Sequence, residues 1–163
     1  MSNCIFCQIV AGESPCHKIW EDEKHLAFLS IFPNTAGFTV VIPKAHCPSY
    51  AFANSDAVLS DLVLATKKVA LLLDAAFPDV DRCGMFFEGY GVDHLHSKLS
   101  PMHGAGDYEQ GKSIEIAKPT VIFDRYPGYL SSHDAARADD VELAKIAEKI
   151  RNQWFYDKCW RWF

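Results

Sequence analysis

The stretch "GVDHLHSKLSPMHG", Gly91 to Gly104, places two histidines one residue apart and a lysine two positions further on. It follows "CGMFFEGYG", Cys83 to Gly91, and the two segments read as strands separated by a Gly-x-Gly turn. Side chains two apart on a strand face the same way. The sequence therefore predicts His94, His96 and Lys98 in one row, aimed at a common site. Such a row suits an active site, a metal site, or a scaffold that has lost one of them.

Upstream of this stretch the period changes. Val58, Leu59, Leu62, Val63, Thr66, Val69, Leu72 and Leu73 recur at three- and four-residue spacings, which predicts a long amphipathic helix capped by Ser55 and stopped by Pro78. Before it, "HKIWEDEKHLAFLSI" (His17 to Ile31) reads as two short antiparallel strands joined at Glu21 to Lys24. Phe38 to Ile42 reads as a third strand, ended by Pro43 because proline has no N–H for the ladder. Beyond Gly104 the pattern weakens. "SIEIAKPTVIF" is a strand candidate interrupted by Pro119, and "DRYPGYLSSHDAARA" is an irregular connection. Asp139 or Asp140 would cap a second helix, with Val141, Leu143, Ala144, Ile146, Ala147, Ile150 and Trp154 mostly on one face. The aromatic tail "WFYDKCWRWF" is expected to pack on the body or across a subunit interface.

The 163 residues suit a single domain, with a core of about residues 1–107 and an extension of about 108–163. A net charge of −5 argues against an extended nucleic-acid surface. No apolar run is long enough to cross a membrane, and "MSNCIFCQIV" lacks the basic region and cleavage site of a signal peptide, so a cytoplasmic location is expected. Six cysteines in a reducing compartment read as metal ligands or buried thiols rather than disulfides.

Taken together, "CIFCQIVAGESP", "EDEKHLAFLSIFPNTAGFTVVIPKAH" and "HLHSK" resemble the histidine-triad (HIT) family in order and spacing, over about the first two-thirds of the chain. The resemblance implies an α+β fold: an antiparallel five-stranded sheet with a long helix, here followed by the C-terminal helix and aromatic tail, and commonly a homodimer. It implies a small-molecule nucleotide substrate, with His96 attacking the α-phosphorus; Lys98, as a cation in the same row, is the candidate to stabilise charge beside it. A neutral imidazole is basic enough for that role at pH 7, and a backbone carbonyl can orient its other nitrogen. The resemblance also implies that Ile5, Phe6, Ile9 and Phe28 enclose the base, although these four are equally compatible with core packing. The C-x-x-C of Cys4 and Cys7, with thirty-eight residues between Cys7 and His46 and forty-seven between His46 and His94, resembles the structural zinc site of the family's bacterial branch. Buried thiols and a hydrogen-bonded histidine are the competing account.

The departures from the family pattern gather around the ligand. Lys98 stands in place of the third histidine, Ser30 where an aspartate usually holds the ribose, and Tyr90 in a usual glutamine position. A lysine still offers a charge and three donors to a phosphate oxygen. A hydroxyl grips a ribose less strongly than a carboxylate, so nucleoside affinity is expected to be lower or supplied elsewhere, with Asn34 and Glu88 as candidates. His103 and, more weakly, His133 are candidates for a missing group. The sequence reading is a hydrolase or nucleotidyl transferase acting at an α-phosphate of a dinucleoside polyphosphate or adenylated amine. Its alternatives are a catalytically weak or inactive nucleotide-binding protein with a structural zinc, and a zinc-stabilised interaction module.

Overall fold

Every residue of His25–Leu29 (β2) and Thr39–Pro43 (β3) is buried, an apolar continuity that a half-exposed sheet would not need. The computed structural model, which describes residues 4–104 and 136–160 with side chains to residue 153, shows why. Alternate residues serve two separate cores. Ala27, Leu29 and Val41 join Leu62, Ala65, Val69 and Leu73 of the long helix Asp56–Ala76 (α2) on one face. Leu26, Phe28, Val40 and Ile42 meet Phe6, Ile9 and Val10 of the short helix Ile5–Val10 (α1) on the other. Burying each such side chain contributes roughly 1.5–3 kcal/mol before the entropic cost of ordering it.

The sheet is completed by Lys18–Glu21 (β1), Val80–Phe86 (β4) and Ser97–His103 (β5), in the antiparallel order β1-β2-β3-β5-β4. Its five strands and long helix are the α+β architecture expected from sequence. Ser55 caps α2 as predicted, its hydroxyl accepting from the Val58 N–H at 3.4 Å. The helix ends at Ala76, before Pro78. Tight backbone approach is visible at Gly37, where φ is +78° and a Cβ would lie 2.7 Å from Phe77 Cε2. Only glycine lets the β2–β3 loop close over the Phe77 ring there.

The chain returns to this core in the helix Asp140–Trp160 (α3), which packs on α2 and β1. Asp139 is its cap, accepting from the Val141 and Glu142 N–H groups. Leu143, Ala147 and Ile150 enter the core, whereas Val141, read from sequence as part of the same face, is 62% exposed in the first turn. The strand candidate around Pro119, the connection with His133, and the side chains of the aromatic tail lie outside the described residues. No helix among the described residues is long and apolar enough to cross a membrane.

One buried polar pair fastens α2 to the sheet. Thr66 Oγ1 donates to the Leu62 carbonyl at 2.7 Å, so the Ser97 hydroxyl, 2.6 Å away, donates to Thr66. Thr66→Val strands that hydroxyl in the core and is expected to cost about 1–3 kcal/mol. Adding Ser97→Ala removes the orphan, so the double variant should be the more stable of the two in urea unfolding; a double variant worse by the sum of the single effects contradicts the pairing.

Candidate functional site

His94 and His96 reach the site from just before β5, not from within it as the sequence reading had them. Ahead of Ser97 the backbone leaves the β3 ladder: the Leu95 N–H is taken by the Cys47 carbonyl at 2.9 Å. The alternation of faces nevertheless holds across this approach. Leu95, Ser97 and Leu99 turn toward α2, while His94 and His96 lie against the Phe6 ring on the opposite face, with centroids 5.8 and 5.6 Å away.

Each ring's tautomer follows from its carbonyl partner. His94 Nε2 lies 2.8 Å from the Pro43 carbonyl, which can only accept, so Nε2 carries the proton and Nδ1 presents a lone pair. That Nδ1 faces Cys4 Sγ at 3.5 Å and Cys7 Sγ at 3.6 Å, and His46 Nδ1 sits 3.4 Å from Cys7 Sγ. All four ligand atoms lie within 4.8 Å of one another. A tetrahedral ion bonded to sulfur at about 2.3 Å and nitrogen at about 2.05 Å has S···N edges of about 3.5 Å. The Cys4, Cys7, His46 and His94 cluster is therefore compatible with zinc in both donor chemistry and spacing. Cys16, Cys47 and Cys83 are half-buried free thiols outside this cluster.

His96 has the opposite tautomer. Its Nδ1 donates to the His94 carbonyl at 2.7 Å, leaving Nε2 as the bare nitrogen. Burial pushes the imidazole below the usual histidine range, against the pull of that carbonyl, and the Lys98 ammonium adds to the lowering. The ring is 2% exposed and neutral at pH 7. Lys98 pairs with Glu88 at 3.2 Å, so its charge is partly offset within the site.

Ile5, Ile9, Phe28 and Ser30 line one pocket of about 570 Å³, within the range of small-molecule sites. Phe6, His96 and Lys98 are not among the residues that line it; the Phe6 ring lies beside the pocket, 5.4 Å from Phe28 and 5.6 Å from His96. Asn34 and Tyr90 do not line it: Asn34 is half-buried in the β2–β3 loop, and Tyr90 is 77% exposed in the turn before His94. His103 is fastened to Asp79 and to the Ala36 carbonyl, both at 2.9 Å. Sequence reasoning missed His17, Arg137 and Asp140, which share the pocket wall with Ser30. No local signal could link residues more than a hundred positions apart.

A sequence profile described as the HIT domain matches residues 11–105, more than half of the chain. The chain belongs to the HIT family. Its HIT relatives include the protein named hit of Bacillus subtilis, 37% identical over 110 residues that cover 64% of this chain and 74% of that one. Another is the adenosine 5'-monophosphoramidase hnt1 of Schizosaccharomyces pombe, 35% identical over 99 residues that cover 61% and 74% of the two chains. Among solved structures, a Zn-bound histidine triad family protein from Mycobacterium smegmatis superposes with a TM-score of 0.67. It is 21% identical and the match covers 96% of each chain, a likeness of fold.

Proposed function

We propose that this HIT protein is a nucleotide hydrolase or nucleotidyl transferase acting at an α-phosphate, with His96 as nucleophile. The observation that carries the reading is the hydrogen bond from His96 Nδ1 to the His94 carbonyl, which leaves Nε2 unprotonated and its lone pair available. In the first step Nε2 bonds to the α-phosphorus while the P–N or P–O bond to the leaving group breaks; the leaving group departs with the electron pair, and an amine takes up a proton from solvent as its P–N bond breaks. The Nδ1 proton stays on the ring, shared with the carbonyl that stabilises the resulting cation. Water then attacks phosphorus, the P–Nε2 bond breaks, the pair returns to the ring, and a water proton passes to solvent.

Lys98 takes the place of a third imidazole as stabiliser of the non-bridging oxygens, and Glu88 holds it in position. The apolar walls of Ile5, Ile9 and Phe28 receive the base. An adenylated amine is the favoured substrate class, since a relative 35% identical to this chain bears the name of an adenosine 5'-monophosphoramidase. A binding-only protein remains the second reading because of the Lys98–Glu88 pair, which weakens the field an incoming phosphate meets.

Zinc fits Cys4, Cys7, His46 and His94. When bound it supplies two thiolate and two imidazole links that fasten the N-terminal segment to the end of β3 and the approach to β5. His94 then serves structure and leaves the chemistry to His96.

Two measurements test this. Incubation with adenosine 5'-phosphoramidate, quenched and analysed by intact mass spectrometry, should show an adenylyl adduct on His96, and His96→Ala should lower kcat by on the order of 10³-fold or more; full activity in that variant ends the enzyme reading. Metal analysis of protein purified from zinc-supplemented medium should find one zinc per chain, lost in Cys4→Ser/Cys7→Ser with a lower melting temperature. A wild type without zinc removes the metal assignment.

A further inference from the structure

The pocket that receives the base is walled by the HIT core, but its two charged side chains come from outside that core. Arg137 and Asp140 lie at the start of α3, beyond the residues matched by the family profile, and line the same cavity as Ser30. They are held there. The Ala138 N–H bonds to the Ile31 carbonyl at 2.9 Å, next to Ser30, and His17 Nε2 donates to Asp140 Oδ1 at 2.9 Å. Arg137 reaches both carboxylate oxygens, at 3.1 and 2.9 Å. The bonds from His17 and then Arg137 hold the Asp140 carboxyl below its usual range, so it is ionised at neutral pH.

The remaining polar groups on the wall are less suited to accept. The Ser30 oxygen already accepts from the Phe32 N–H at 3.1 Å, and the Ser14 hydroxyl donates to Gln8. Asp140 is thus the one ionised acceptor among the described residues of this pocket. Oδ1 is filled by His17 and Arg137, while Oδ2 takes only Arg137 and keeps a lone pair for one further donor. With the base against Ile5, Ile9 and Phe28, the polar side chains of the same wall, Asp140 among them, are what remains for the sugar hydroxyls.

We propose that Asp140, positioned by His17 and Arg137, accepts a hydrogen bond from one ribose hydroxyl and so sets a preference for ribonucleotides over their deoxy counterparts. The assignment rests on the nucleotide reading above and names a specificity residue for that site. It makes the C-terminal extension part of the ligand pocket and supplies from α3 the carboxylate that position 30 lacks.

Calorimetric titration of the full-length protein with AMP, 2'-deoxyAMP and 3'-deoxyAMP tests it. The wild type should bind one of the two deoxynucleotides about tenfold or more weakly than AMP, the difference expected for a hydrogen bond to a charged group. In Asp140→Asn that ratio should fall toward one, while binding of the matching deoxynucleotide changes little. A merely structural role would weaken all three ligands together and leave the ratio intact. AMP binding without discrimination in the wild type, or with unchanged discrimination in the variant, overturns the assignment and leaves the nucleotide reading standing. No binding of any of the three overturns both. Should Asp140→Asn fail to fold, the wild-type complex with AMP decides: a hydroxyl within about 3.2 Å of Oδ2 supports the contact, and a sugar turned elsewhere overturns it.

Discussion

One buried hydrogen bond, from His94 Nε2 to the Pro43 carbonyl, sets the chemistry of everything near it. It closes the end of β3 against the approach to β5, in a place where the regular ladder has stopped. By fixing the proton on Nε2 it leaves the Nδ1 lone pair facing two thiols, the placement that a metal-ligating imidazole needs. By fixing the position of residue 94 it also places the His94 carbonyl, which in turn selects the tautomer of His96. Two adjacent imidazoles in one row thus acquire opposite proton placements from two carbonyls.

The two-sided burial of β2 and β3 gives this arrangement its rigidity. Their odd and even residues are both committed to packing, one set to α2 and α3, the other to α1. Phe28 belongs to the second set and also lines the pocket, so the cavity wall is part of a core rather than an added surface. The same double use applies to Ile9. A base-sized ligand would therefore meet a surface already held in shape by the fold, which lowers the ordering cost of binding.

Much of this was legible in the sequence because it follows from local patterns. The α2 periodicity, the Ser55 cap, the strand runs and the shared face of His94 and His96 all depend on spacings of two to four residues. The short helix α1 was not legible, since six residues with no capping side chain form a helix only when Phe6 and Ile9 find Phe28 and Val40. The start of β5 was misplaced because alternation survives where the ladder does not. Val141 carried an apolar side chain into a first turn that the core does not reach. The Arg137, Asp140 and His17 group was invisible for a different reason: its members meet only after α3 has docked, and sequence separation of that length leaves no periodic trace. The cluster of Cys4, Cys7, His46 and His94 was legible from its spacing only through likeness to a known pattern.

The N-terminal helix has a consequence for the order of assembly. Its packing partners, Phe28, Val40 and the two imidazoles, lie between about twenty and ninety residues further along. During synthesis it emerges before these partners, and the imidazoles follow it only when residues 94 and 96 have left the ribosome, after several seconds at ordinary elongation rates. Closing so long a loop is entropically costly until the sheet exists to receive it. This helix is thus made before the surface that receives it, and the thiols of Cys4 and Cys7 pass that interval without the shelter of the native site.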